Sequence, residues 1–166
     1  MNNRYDSILA LRAIRTFADR ALDSADVNAV LEAARWTGSS KNRQNWSFIV
    51  VDDPGQKERL CGAGDFMDPV RNAPAAICLV QEPEGYEFDT GRLAQNIMLA
   101  ADALGMATCP VTLHRAEIAA DVLGLPDGTQ CRYAVAIGYP SASSSPARMG
   151  GRRPFEDLAH RNRYGK

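Results

Sequence analysis

Three separated segments of this chain carry side chains able to hold a polar, anionic ligand: Arg12 with Arg15, the run Gly38-Ser39-Ser40-Lys41-Asn42-Arg43-Gln44-Asn45-Trp46-Ser47-Phe48, and the tail around Arg152 and Arg153. Arginine suits phosphate because its planar fork makes two parallel charge-assisted bonds and keeps its proton. The hydroxyls and amides of Ser39, Ser40, Asn42 and Gln44 suit the polar edge of a heterocycle or a polyol chain. Taken singly, each has an ordinary explanation, since arginine pairs and polar loops are usually solvated surface. The loop nevertheless runs directly into an apolar strand at Trp46, which gathers its donors and acceptors at one strand mouth. Flat, hydrogen-bonding ligands are held in such places.

Other chemistries lack support. Gly62-Ala63-Gly64 is followed by Asp65-Phe66-Met67, so the third glycine of a dinucleotide fingerprint is missing, and there is no Gly-Lys-Ser/Thr phosphate loop. His114 has no carboxylate or nucleophile at a telling offset. Asp52 and Asp53 are neighbours that would point to opposite faces of a strand, and they read as a turn. Cys61, Cys78, Cys109 and Cys131 lie far apart, with only His114 and His160 as further soft ligands. Buried free thiols are expected, with no metal site or disulfide.

The chain has 19 Lys and Arg against 20 Asp and Glu, a net charge of -1, so neither nucleic acid nor an acidic membrane is called for. Its 166 residues suit one domain with a real core, residues 1–166, with 140–166 as a basic extension. No run approaches the roughly 18 apolar residues of a spanning helix. The first residues lack the layout of a signal peptide, which predicts a cytoplasmic protein.

The elements that position the three segments follow from periodicity. A short helix is predicted over residues 5–12, with Ile8, Leu9 and Leu11 inward. A second is capped by Asp23 or Ser24 and buries Val27, Val30, Leu31 and Ala34, and Gly38 then breaks the chain. Strands are predicted over residues 46–51, 75–80 and 132–139, with a turn at residues 52–55 and a short helix over 56–62. The longest helix, residues 89–104, is apolar almost all round near its end and should be buried on several sides, with Gly105 ending it. A turn at Thr108-Cys109-Pro110 precedes a helix over 115–123, stopped by Gly124 and Pro126. The serine run Ser141 to Ser145 and the arginines beyond it form a tail with too few apolar residues for a core, one that wraps over the domain or a partner.

The order of these segments resembles the FMN-dependent nitroreductase family. The resemblance runs through Arg12-Ala13-Ile14-Arg15-Thr16-Phe17, Ala33-Ala34, the run from Gly38 to Phe48, Gln95-Asn96, Ala100-Ala101 and Leu104-Gly105. It continues through Cys109-Pro110, Leu123-Gly124-Leu125-Pro126, Ile137-Gly138-Tyr139-Pro140 and Arg153-Pro154. It implies an α+β fold, a central mixed sheet flanked by helices, in a homodimer with two flavins at the subunit interface. By motif, Arg12, the backbone at Ala13 and Arg15 resemble phosphate and ribityl contacts, with Arg153 or Arg152 joining from the tail. Ser39, Ser40, Asn42 and Gln44 resemble the loop that meets the flavin, in part from the other subunit. Pro110, Val111 and Thr112 resemble the backbone that lies against the isoalloxazine ring. Family members often have serine at Ala13 and proline at Gly38 and Asn45.

The function implied is an FMN-dependent oxidoreductase: NADH or NADPH gives hydride to flavin N5 and leaves, then a nitroaromatic, quinone or similar small acceptor takes two electrons. No side chain is an obligatory acid or base in that cycle, so the residues named are cofactor holders and none is catalytic. The short stretches 61–74 and 81–88 imply an open site. A flavin-dependent dehalogenase or flavin-consuming enzyme on the same fold, and a non-catalytic FMN-binding protein, are the alternatives.

Overall fold

A computed structural model describes residues 3–147 and 150–165, so Arg148 and Lys166 of the basic tail lie outside the described residues. In order the elements are α1 (Asn3–Ala10), α2 (Ser24–Arg35), β1 (Trp46–Val51), α3 (Pro54–Cys61), α4 (Asp68–Asn72) and β2 (Ala75–Gln81). They continue with α5 (Glu87–Ala103), β3 (Ala107–Thr112), α6 (Ala116–Leu123) and β4 (Gln130–Gly138). Local chemistry sets several ends. Asp23 caps α2 by accepting from the Ala25 N–H at 2.8 Å, and Gly105 (φ 74°) and Gly124 (φ 62°) turn the chain left-handed after α5 and α6. The predicted turn at residues 52–55 is the start of α3: Asp53 accepts from the Gln56 N–H at 2.7 Å and Pro54 opens the helix.

The four strands lie in the order β1-β2-β4-β3. The resemblance implied a mixed sheet, whereas among the described residues every hydrogen-bonded strand pair is antiparallel. The 17 residues of α5, about 25 Å long, carry the chain from the end of β2 back across the sheet. β3 therefore runs in the direction of β2, and β4 inserts between these two parallel strands. The turn expected at residues 108–110 is instead the middle of β3.

Alternation along the strands builds two cores. Ala76, Cys78, Val80, Cys109, Val111, Ala134 and Ala136 face α3, α4 and α6 in one cluster with Leu60, Val70 and Ala119. Ile77, Leu79, Val135 and Ile137 face α2 and α5, meeting Val30, Ala34, Leu93, Ile97 and Ala101. All four cysteines are buried and unbridged. The α1 helix departs from expectation: Tyr5, Ile8 and Leu9 are 60%, 56% and 54% exposed, because none of the described layers covers their face. Among the described residues no helix is long and apolar enough to cross a membrane.

Candidate active site

The outer edge of β3 is the first wall of the site. The Leu113 N–H bonds to the Arg132 carbonyl of β4 at 2.8 Å. Because backbone directions alternate along an edge strand, Cys109 and Val111 also point at β4, while Thr108, Pro110 and Thr112 point outward. Proline is tolerated at such an edge position, where its missing N–H breaks no ladder bond. The outward Thr108 carbonyl accepts from the Ile14 N–H at 2.8 Å, which lays residues 12–15 along the strand. Beyond it Pro110, Val111 and Thr112 line a cleft of about 410 Å³ together with Arg15, Asp65, Phe66 and His114.

Arg15 also lines an adjoining cleft of about 290 Å³ with Arg12, Ala13, Gly150, Gly151 and Arg152. The serine run brings the tail there. The Ser144 hydroxyl donates to the Thr16 carbonyl at 2.6 Å and accepts from the Ser141 N–H at 2.8 Å, while Phe17 bridges to Pro140. Of the two tail arginines, Arg152 reaches the cleft, and Arg153 turns back to donate to the Asp157 carbonyl at 3.2 Å. Arg12 is divided in its attachments: one guanidinium nitrogen donates to the carbonyls of Leu9 and Leu11 at 2.7 and 2.8 Å, closing the end of α1.

The loop with Ser39, Ser40, Asn42 and Gln44 stands elsewhere. It leads into β1, on the opposite edge of the sheet from β3, at least three interstrand spacings or about 14 Å away. Lys41, Asn42 and Gln44 all have φ near 54°, a left-handed backbone that costs a non-glycine residue roughly 1 kcal/mol or more. Local bonds maintain this shape. The Gln44 N–H donates to Ser39 Oγ at 3.0 Å, Arg92 donates to the Gly38 carbonyl, and Asn45 Nδ2 donates to the Pro83 carbonyl at 2.7 Å. Asn45 thus ties the loop to the segment after β2 by hydrogen bonding.

Residue types and spacing did not point to Asp65, Phe66 or Arg115 at the site. Arg115 donates to the carbonyls of Gly62 and Gly64 and to Asp65 Oδ1, each at 2.7 Å, and this last bond holds the Asp65 carboxyl below the usual carboxylate range. Asp65 Oδ2 stands 3.6 Å from His114 Nδ1, and Phe66 is 83% exposed at the cleft. Gly62-Ala63-Gly64 has a packing role: a Cβ on Gly64 would stand 2.8 Å from the Thr112 carbonyl. In sequence Asp65 and Arg115 lie 50 residues apart, and no local pattern couples them.

A profile of the nitroreductase family matches the chain in two overlapping stretches, residues 8–82 and 65–139. The chain belongs to the nitroreductase family. A curated relative from Archaeoglobus fulgidus, named as an NADH dehydrogenase/NAD(P)H nitroreductase, is 30% identical over 144 residues, covering 80% of this chain and 83% of that protein. The FMN reductase (NADPH) of Bacillus subtilis is 26% identical and covers 99% of this nitroreductase-family chain and 75% of its own length. Among solved structures, the NADPH:FMN oxidoreductase of Vibrio harveyi complexed with NAD+ superposes with a TM-score of 0.89 at 22% identity, over 99% of this chain and 79% of that one. A nitroreductase-type protein of Parabacteroides distasonis gives 0.89 at 22% identity over 99% and 100% of the two chains. This nitroreductase-family chain thus has the α+β fold of those structures, with helices on both faces of one sheet.

Proposed function

We propose that the protein is an NAD(P)H-dependent flavin oxidoreductase that holds FMN along the outer edge of β3 and passes electrons to nitroaromatic, quinone or similar small acceptors in a ping-pong cycle. The observation that carries this reading is Arg15 lining two adjoining clefts, one with Arg12 and Arg152 and one with the outward backbone of Pro110 to Thr112. The first offers three guanidinium groups to a single terminal phosphate. The second offers an apolar strand edge and an outward N–H at Thr112 to a flat ring. When bound, FMN supplies two-electron chemistry, and the protein's part is to seat, orient and hydrogen-bond it. Relatives named as an NADPH-dependent FMN reductase and an NADPH-flavin oxidoreductase support the same cofactors. Nicotinamide donors of this kind fit a cytoplasmic setting.

The reading includes a homodimer. In one chain Ser39, Ser40, Asn42 and Gln44 stand on the far sheet edge from Arg15, so a second copy is the natural source of that loop. The apolar side chains left uncovered on α1, and Phe155, Leu158 and Tyr164 in the tail, supply surfaces for such a copy. The chain is then one flavin-binding domain whose extension from residue 140 reaches across. The test begins with purified protein that is expected to be yellow. Chromatography of the released chromophore should give FMN, and mixing with NADH or NADPH should bleach the flavin absorbance, which an added quinone restores. Released FAD would defeat the cofactor assignment, and bound FMN that neither nicotinamide reduces would leave a binding protein.

A further inference from the structure

We infer that His114 is the proton donor to the electron acceptor, with Asp65 and Arg115 as its positioning residues; this rests on the oxidoreductase reading above. A quinone that receives hydride from NAD(P)H, two electrons and one hydrogen, needs one more proton to become the hydroquinone. The His114 imidazolium supplies it: an N–H bond breaks, an O–H bond forms on the acceptor oxygen, and the neutral imidazole recovers its proton from water. Imidazole is the side chain that exchanges protons near neutral pH.

The other groups in the cleft do not serve. Arg15 keeps its proton at any working pH. Cys109 is buried, and burial pushes its thiol up. Asp65 is held ionised by Arg115, and Asp68 is paired with Arg71 at 2.8 Å. The positioning is specific. Arg115 is fixed by the carbonyls of Gly62 and Gly64 and clamps Asp65 through Oδ1, which leaves Oδ2 facing His114 Nδ1 at 3.6 Å. With Nδ1 toward the carboxylate, Nε2 is the ring nitrogen left for the acceptor. His114 is partly exposed and lines the same cleft as the Thr112 backbone and Phe66, so it stands beside the flat ring proposed for that cleft and beside an acceptor that meets the ring there.

The experiment compares the FMN-loaded parent with His114→Gln and Asp65→Asn. Flavin reduction by NADPH is measured for each variant, and the rate with each acceptor is read against it. With p-benzoquinone, kcat of His114→Gln should fall roughly 10²-fold or more, the range for removing a general acid. With ferricyanide, which takes single electrons and no proton, the loss should be far smaller. Asp65→Asn should lower kcat with p-benzoquinone by a smaller factor than His114→Gln and again lose more with quinone than with ferricyanide, because the carboxylate only orients the imidazole. A readout without turnover uses oxidised protein free of NAD(P)H. There the His114 imidazole NMR signal, separated from that of His160 by a His160→Gln reference, should shift on adding 4-nitrobenzamide. Equal losses with quinone and ferricyanide, an unchanged quinone rate, or an unmoved resonance would each overturn the inference. A parent enzyme that oxidises NADPH with neither acceptor would instead sink the oxidoreductase reading itself.

Discussion

At the scale of single residues, Arg12 and Arg15 look equivalent in the sequence and differ in the fold. Arg15 faces both clefts, whereas Arg12 spends one nitrogen on the carbonyls that end α1. A charge-assisted hydrogen bond contributes about 1.5–3 kcal/mol. Arg15→Gln is accordingly expected to weaken FMN binding roughly 10- to 150-fold, at 1.4 kcal/mol per decade, with far-UV ellipticity unchanged. Arg12→Ala should lose affinity in the same range and also fray the last turn of α1, lowering the ellipticity. Fluorescence titration of apoprotein with FMN checks both, and undiminished affinity in Arg15→Gln would remove that residue from the phosphate and ring contacts.

At the scale of elements, two helices carry predictions of different kinds. Ile97 is fully buried in α5, in the core shared by α2, α5 and one sheet face. Ile97→Ala should cost about 2–5 kcal/mol in urea unfolding, the range for a large aliphatic lost from a packed core. A cost below 1 kcal/mol would mean that the α5 face is loosely packed. At the end of α2, the Glu32 carboxylate accepts from Arg35 at two points and from Trp36 Nε1, all at 2.7–2.8 Å, and the Arg35 bond leads in bringing its pKa down to about 2. A lowered carboxyl pKa stabilises the fold above the unfolded value of 4.5 and ceases to do so as pH falls through about 2. The melting temperature of Glu32→Gln should therefore lie below the parent's at neutral pH, by a small amount because the site is exposed, and the gap should close between about pH 4.5 and 2. A gap that persists at pH 2 would assign the effect to something other than the charge.

At the scale of the whole molecule, the proposed site is divided between the two edges of one sheet, and the proposed dimer resolves that division. Ile8→Asp combined with Leu9→Asp places charge on the uncovered face of α1, which touches neither core. The expected outcome is a folded monomer in sedimentation that binds FMN far more weakly than the parent. A monomer that keeps full FMN occupancy would place the entire site in one chain and remove the need for the loop of a second copy.

The sequence by itself determined most elements, because helix and strand periods are local and burial enforces them. The strand Trp46–Val51, a cap at Asp23 or Ser24 and the glycine stops after α5 and α6 were all legible there, and the structure chose Asp23. It also supplied the family, through motifs in chain order. What it left open depends on contacts between distant residues. Pro110 reads locally as a turn, and only the outward edge of β3 makes it a strand residue. Ile8 and Leu9 read as inward, and only the assembled layers leave them uncovered. The carboxylate missing near His114 in sequence arrives as Asp65, held by Arg115, because the connection after α3 packs against the end of β3. Tertiary structure also lays Arg152 along the cleft with Arg12 and Arg15, since the serine latch to Thr16 fixes where the tail passes, which no local pattern records.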